Sequence, residues 1–290
     1  MLEGIITKGY SGFYYVQAGT QLWECSLRGR FRLNAQEFLP GDRVKISPVK
    51  GTKGVIEEVL PRQNSLVRPT VANVDQAVIV FAASNPEPDL NLLDRILIQV
   101  EGAGITPLIC FNKADLLGEE ELRQLMQVYA THYTVLATGA KSGLGIEALK
   151  QVLNNKVSVF AGPSGVGKSS LLNALQPGLE LKMGEVSRKL GRGKHTTRHV
   201  ELLPLACGGL VADTPGFSSL HLPPMKREEL AGYFPEIIEL AHLCRFSSCL
   251  HNQEPQCAVK EGVERGNINP ERYKHYLLFL NEVIEHERRY

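Results

Sequence analysis

Three short motifs in this 290-residue chain stand in an order that restricts the fold more than any other feature. Asn112-Lys113-Ala114-Asp115 comes first, at the end of the apolar run Leu108-Ile109-Cys110-Phe111. Gly162-Pro163-Ser164-Gly165-Val166-Gly167-Lys168-Ser169 follows, after the apolar run Val157 to Ala161 and before the helical pattern Lys168 to Leu175. Asp213-Thr214-Pro215-Gly216 comes last, at the end of Leu210 to Asp213. A glycine-rich loop between strand and helix turns backbone N–H groups inward, where they cradle phosphate. In the usual nucleotide-binding sheet that loop opens the domain, and the Asn-Lys-x-Asp element lies near its end. A cyclic shift of the chain reproduces the order seen here, and the expected class is α/β with a mostly parallel sheet.

The chemistry follows from the residue types. Gly162 to Ser170 form the expected phosphate cradle, in which Lys168 bridges β- and γ-oxygens and the Ser169 hydroxyl takes Mg²⁺. Asp115 can accept two hydrogen bonds, from guanine N1–H and the 2-amino group. Adenine offers no such pair and would leave that carboxylate unpaired. Asn112 can reach the purine edge and tie neighbouring loops, Lys113 can pack its stem over the base, and Ala114 completes the loop. In Thr138-Gly139-Ala140-Lys141, the Ala140 N–H is placed to read guanine O6. Asp213 is expected to hold Mg²⁺ through water, with the Gly216 N–H sensing the γ-phosphate. The next residue is the apolar Phe217, so the hydrolytic water needs another partner. The stretch Gly191 to Arg198 offers Thr197 as a Mg²⁺ ligand, with Thr196 as the alternative, and His195 as a residue that orients water or acts as base.

Periodicity divides the chain in three. Residues 1–67 read as five short strands separated by glycine turns, which suits a β-barrel of the OB type, although an SH3-like barrel has a similar pattern. Pro61 to Pro69 reads as a linker. Residues 68–222 alternate strands with helices and carry the nucleotide motifs; residues 223–290 are helical around a Cys/His cluster. The helix Arg272 to His286 is expected to be amphipathic, with Tyr273, Tyr276, Leu277, Leu280 and Ile284 on one face. Because Gly216 leads directly towards Pro223, the phosphate-sensing loop is expected to connect to this last segment by a short tether.

A formal net charge of +1 decides nothing, but its distribution does. Basic residues gather at Arg28 to Lys53 and again at Lys182, Arg188, Lys189, Arg192, Lys194 and Arg198, which favours a polyanionic partner. No apolar run is long enough to cross a bilayer, and the N-terminus carries no secretory pattern, so a cytoplasmic protein is expected. Cys25, Cys110 and Cys207 read as buried thiols. Cys244-x4-Cys249-x-His251-x5-Cys257 supplies three thiolates and an imidazole, a complete donor set for one structural Zn²⁺.

Together these residues resemble the RsgA (YjeQ/YloQ) family of circularly permuted GTPases that act in small ribosomal subunit assembly. The resemblance runs over essentially the whole chain. It implies an OB-fold at the N-terminus, binding of GTP and GDP, hydrolysis stimulated by the small subunit, and contact with rRNA during late maturation; a monomer is expected. Two other readings compete. One is an RNA-binding scaffold in which nucleotide only gates affinity. The other is a P-loop kinase, which the Asn112 to Asp115 loop disfavours.

Overall fold

The computed structural model describes residues 1–29, 31, 37–67, 69–178, 200–212 and 221–289. The first five strands are β1 (Leu2–Tyr10), β2 (Phe13–Ala18), β3 (Gln21–Leu27), β4 (Arg43–Lys50) and β5 (Lys53–Val59). They close a barrel in the order β1-β2-β3-β5-β4. Alternation explains its interior: Ile6, Val16, Cys25, Val44, Ile46 and Ile56 are fully buried, while their neighbours along each strand turn outward.

The expected linker is partly ordered as strands. Ser65–Val67 (β6) pairs antiparallel with Thr70–Ala72 (β7), so the expected boundary at residue 67 falls within a hairpin. The turn Pro40-Gly41-Asp42 leans on that hairpin: Ala72 N donates to Pro40 O at 2.8 Å, and Asn73 Nδ2 donates to Gly41 O at 3.0 Å. Gly41 has φ +93° and lies against Ala72 O, so a side chain fits there neither sterically nor conformationally. The fully buried Asp42 accepts from Leu39 N and from Arg62, which fixes the exit of the chain from the barrel.

The central sheet is ordered β10-β9-β8-β11-β13-β12 among the described residues, with β8 (Gln76–Ala82), β9 (Thr106–Asn112), β10 (Thr134–Ala137), β11 (Val157–Ala161), β12 (Leu202–Pro204) and β13 (Leu210–Ala212). The pairs are parallel except β12 with β13. Strand β8 is buried at every position because it feeds two cores. Ala77, Ile79 and Phe81 face one side, with Leu93, Leu97 and Val100 of α1 (Leu90–Gly102) and Tyr129 of α2 (Glu119–Ala130). Val78, Val80 and Ala82 face the other, with Leu149 and Leu153 of α3 (Ile146–Leu153) and Leu171, Leu172 and Leu175 of α4 (Lys168–Leu175). Cys25 and Cys110 are buried as expected, but Cys207 is only half-buried, because it lies in the turn joining β12 to β13.

The C-terminal region holds α5 (Pro235–Ala241), α6 (Ala258–Glu264) and α7 (Pro270–Arg289). Its core takes Leu230, Phe234, Ile237, Val259, Ile268, Tyr276, Phe279 and Leu280, and Ile98 of α1 joins it. Helix α1 is therefore apolar on two faces, one for the sheet and one for this module. The expected face of the last helix packs on this core: Tyr276 and Leu280 are buried, Tyr273, Leu277 and Ile284 are half-buried against it, and Arg272, His275, Phe279 and Val283 are buried on the same helix. Hydrophobic periodicity does not reveal that Arg272 and His275 are buried, because one is charged and the other titratable.

Candidate nucleotide and metal sites

Strand order brings the motifs together. Strand β8 lies between β9, which ends in the Asn112 loop, and β11, which ends in the glycine-rich loop. Both loops therefore leave the same edge of the sheet, where open parallel sheets bind ligands. Gly162 has φ +127°, and a Cβ there would lie 2.0 Å from Val80 O, so only glycine lets the loop cross β8 this closely. Gly167 has φ +93° and caps α4, with the space of its missing side chain taken by Asn112 Nδ2. Ser169 and Ser170 are exposed in the first turn of α4, and Ser164 and Gly165 are exposed in the loop; Val166 is buried beneath it.

Asn112 is the junction of the site. Its Nδ2 donates to Val166 O at 2.9 Å, and its Oδ1 accepts from Ala140 N at 3.2 Å and Thr138 Oγ1 at 3.4 Å. One buried amide thus joins the guanine loop, the 138–140 turn and the phosphate loop. The Ala140 N–H, expected on guanine O6, is here engaged by Asn112. Lys113 has φ +58° and donates from Nζ to Gly165 O at 3.0 Å and to Asn85 O, which stretches its stem across the floor between the loops. Sequence reading missed Asn85, because a backbone carbonyl leaves no residue-type signature. Asp115 is exposed in the short 3-10 turn Ala114–Leu116, whose first N–H, on Ala114, donates to Thr138 O at 2.9 Å. Lys168 Nζ donates to Gly162 O at 2.8 Å and Pro163 O at 2.6 Å, and burial holds its pKa below the usual lysine value. Thr196, Thr197, His195, Asp213, Gly216 and Phe217 lie outside the described residues, as does the basic stretch Lys182 to Arg198.

The Cys/His cluster forms as expected. The ligand atoms of Cys244, Cys249, His251 and Cys257 all lie within 4.8 Å of one another. Zn–S bonds of about 2.3 Å and Zn–N bonds of about 2.05 Å give a tetrahedron with S···S edges of about 3.8 Å and S···N edges of about 3.5 Å. Cys244 Sγ and Cys257 Sγ are 3.8 Å apart, and His251 Nδ1 is 3.5 Å and 3.6 Å from them. The donor set and its edges fit one structural Zn²⁺. Burial pushes the Cys249 thiol up to about 12 and lowers the His251 pKa. A supporting layer holds the ligand loop: Tyr273 and Tyr276 donate to His251 O (2.7 Å) and Leu250 O (2.8 Å), and Glu254 accepts from Leu250 N and Asn252 N.

A second polar cluster bolts this module to α1. Arg272 Nη1 meets Asp94 Oδ1 at 2.5 Å, and Arg272 Nε and Nη2 meet the two Glu236 oxygens at 2.7 and 3.1 Å. His275 Nδ1 and Asp94 Oδ2 are 2.6 Å apart, and Tyr129 donates to Asp94 at 2.8 Å. Burial opposes the Arg272 charge, but Asp94 and Glu236 more than reverse this, and its pKa is raised. Nearby, Arg95 pairs bidentately with Glu282, and Gln99 Nε2 donates to His221 O at 2.7 Å. The segment after residue 220 thus re-enters against α1.

Comparison with known proteins agrees with this architecture. A family model described as RsgA GTPase matches residues 59–223, and one described as RsgA N-terminal domain matches residues 3–56. Similar proteins named small ribosomal subunit biogenesis GTPase RsgA include that of Moorella thermoacetica, 55% identical over 99% of both chains, and that of Halalkalibacterium halodurans, 48% identical over the full length of both. Among solved structures, YjeQ from Thermotoga maritima superposes with a TM-score of 0.83 at 39% identity over 98% of both chains. YloQ, described as a circularly permuted GTPase, gives 0.82 at 41% identity over 99% of this chain and 96% of that one.

Proposed function

Because the chain belongs to the RsgA GTPase family, we propose that it hydrolyses GTP during late maturation of the small ribosomal subunit, gripping rRNA and leaving as GDP forms. The observation that carries the nucleotide half is the Asn112 amide, which joins all three described loops in one knot. Asp115 reads guanine N1–H and the 2-amino group, the Lys113 stem supports the base, and the Ala140 N–H turns from Asn112 Oδ1 to guanine O6. The N–H groups from Gly162 to Ser170 hold the phosphates with Lys168. Ser169 and Thr197 ligate Mg²⁺, Asp213 holds it through water, Gly216 senses the γ-phosphate, and His195 orients the attacking water.

Charge suggests how rRNA is divided between the modules. Residues 221–290 carry eleven acidic and nine basic side chains, so the zinc module offers shape rather than positive potential. The cationic surface comes from the barrel and from the stretch Lys182 to Arg198. No described helix is long and apolar enough to cross a membrane, and on this reading the protein works as a cytoplasmic monomer.

The test is GTP turnover with and without purified small subunits, in wild type and His195→Ala. Slow turnover alone, acceleration by subunits, and loss of that acceleration in His195→Ala with GTP affinity retained are expected. Tight GTP binding with a rate indifferent to subunits would sink the proposal. Normal release from subunits by a variant that no longer hydrolyses GTP would instead favour the scaffold reading.

A further inference from the structure

Helix α1 meets the zinc module along its length and the nucleotide loops just before its start. Asp94, Arg95, Ile98 and Gln99 share one helical face by their spacing. Each has a partner in the C-terminal region. Asp94 meets Arg272 and His275 of α7. Arg95 pairs with Glu282 and lies over the Phe279 ring, 4.7 Å from its centroid. Ile98 enters the module core, and Gln99 reaches His221 O.

Ahead of α1 the chain runs past the guanine loop. Ala83 N donates to Asn112 O at 2.7 Å, and Asn85 O accepts from Lys113 Nζ. Asp89 then caps the helix, accepting from Leu92 N at 3.0 Å. Only residues 86–88 separate Asn85 from that cap. A helix of 13 residues is about 20 Å long, and a rigid element of that length carries a small tilt from one end to the other.

A base seated on the Lys113 stem pins that side chain, and with it the Asn85 carbonyl and the start of α1. A docked module restrains α1 from its opposite face. Each event orders residues that the other must also order, so each lowers the ordering cost of the other. This route differs from the expected tether after Gly216. The tether would carry the state of the γ-phosphate, whereas the α1 route begins beneath the base, which GDP and GTP share.

We infer that α1 couples the zinc module to occupancy of the guanine pocket: the module is held more firmly with either GDP or GTP bound than with the pocket empty. Arg95 and Glu282 are positioning residues in this coupling and act through Lys113. The inference rests on the guanine reading of the Asn112 to Asp115 loop.

The experiment follows amide hydrogen exchange across residues 272–286 of the zinc-loaded full chain, nucleotide-free, with GDP, and with a non-hydrolysable GTP analogue. Both nucleotides should slow exchange to the same extent. Glu282→Arg sets two guanidinium groups against each other at a site where the side chain is 39% exposed. It should remove most of that slowing and weaken GDP and the analogue equally, by about threefold or more, because coupling is reciprocal. Inorganic triphosphate, which has no base, should bind as before. Adding Arg95→Glu to the same chain should restore both readouts. Slowing by the analogue alone would place the coupling in the tether and overturn the inference. So would no slowing by either nucleotide, or equal loss of GDP, analogue and inorganic triphosphate in Glu282→Arg. A wild type that binds adenine nucleotides as well as guanine nucleotides would instead sink the reading beneath it. Glu282→Gln takes the place of a Glu282→Arg chain that does not fold, and the wild-type exchange comparison decides in either case.

Discussion

The nucleotide loops hold half-buried cations and the C-terminal module a buried one, and they satisfy them in opposite ways. Arg272 is enclosed by two carboxylates in good geometry and by the rings of Tyr129, Tyr133 and Phe234. Lys168 and Lys113 are held by backbone carbonyls alone among the described residues. A carbonyl dipole compensates an ammonium less well than a full negative charge does. The first arrangement is permanent. The second is held in trust for a stronger acceptor, and a polyphosphate is one. The pairing of a cation withdrawn from solvent therefore separates a structural bolt from a binding group.

The sharpest way to break that comparison is to remove what holds the module itself. Stripping the metal with a strong chelator, or replacing Cys257 with Ser, should unfold the ligand loop, since structural Zn²⁺ contributes on the order of 10 kcal/mol in small domains. Far-UV circular dichroism should lose helix signal, and GTP affinity should fall much less. Next in size, Arg272→Ala leaves Asp94 and Glu236 buried without their cation, at a cost of about 3–5 kcal/mol. Chemical denaturation should show that loss, whereas Lys168→Ala should change stability by less than about 1 kcal/mol while abolishing GTP binding. Equal destabilisation by both variants would erase the distinction drawn between them. Smaller again, Asn112→Ala should loosen all three loops together, costing about 1–3 kcal/mol for the groups left unpaired and weakening GTP and inosine triphosphate alike.

The smallest effect concerns Glu101, on the face of α1 near Arg272. Burial pushes its carboxyl from 4.5 up to about 7, with Arg272 and Tyr133 partly opposing the shift. The folded chain therefore holds a proton that the unfolded chain releases between about pH 4.5 and 7. Its contribution is fully present below pH 4.5 and is lost as pH rises through about 7. Glu101→Gln should flatten that part of the stability profile and raise the thermal midpoint at pH 8. An unchanged slope would show that this face of α1 is wetter than its burial indicates.

Much of the sites was legible because their chemistry requires particular residue types at fixed spacing. The glycine-rich loop, the Asn112 to Asp115 element and the Cys244 to Cys257 cluster all follow that rule, and the elements α2, α3, α4 and β11 lie where periodicity put them. The linker was illegible as a hairpin because three-residue strands carry too little pattern. The polar bolt was illegible because Asp94 and Arg272 are 178 residues apart and each, alone, reads as a surface charge.

By itself the sequence determined the cyclic order of the strands, the nucleotide cradle and the metal donor set, because each is local chemistry written in consecutive residues. It also suggested that the zinc module hangs by a short tether from the phosphate-sensing loop. Only the tertiary structure decided where that module is held. It is docked on α1, which it shares with the sheet through Ile98, and fastened there by Asp94, Arg272 and Glu236. That outcome depends on charges compensating one another across the fold, and a buried charge declares its partner only once the chain has closed around it.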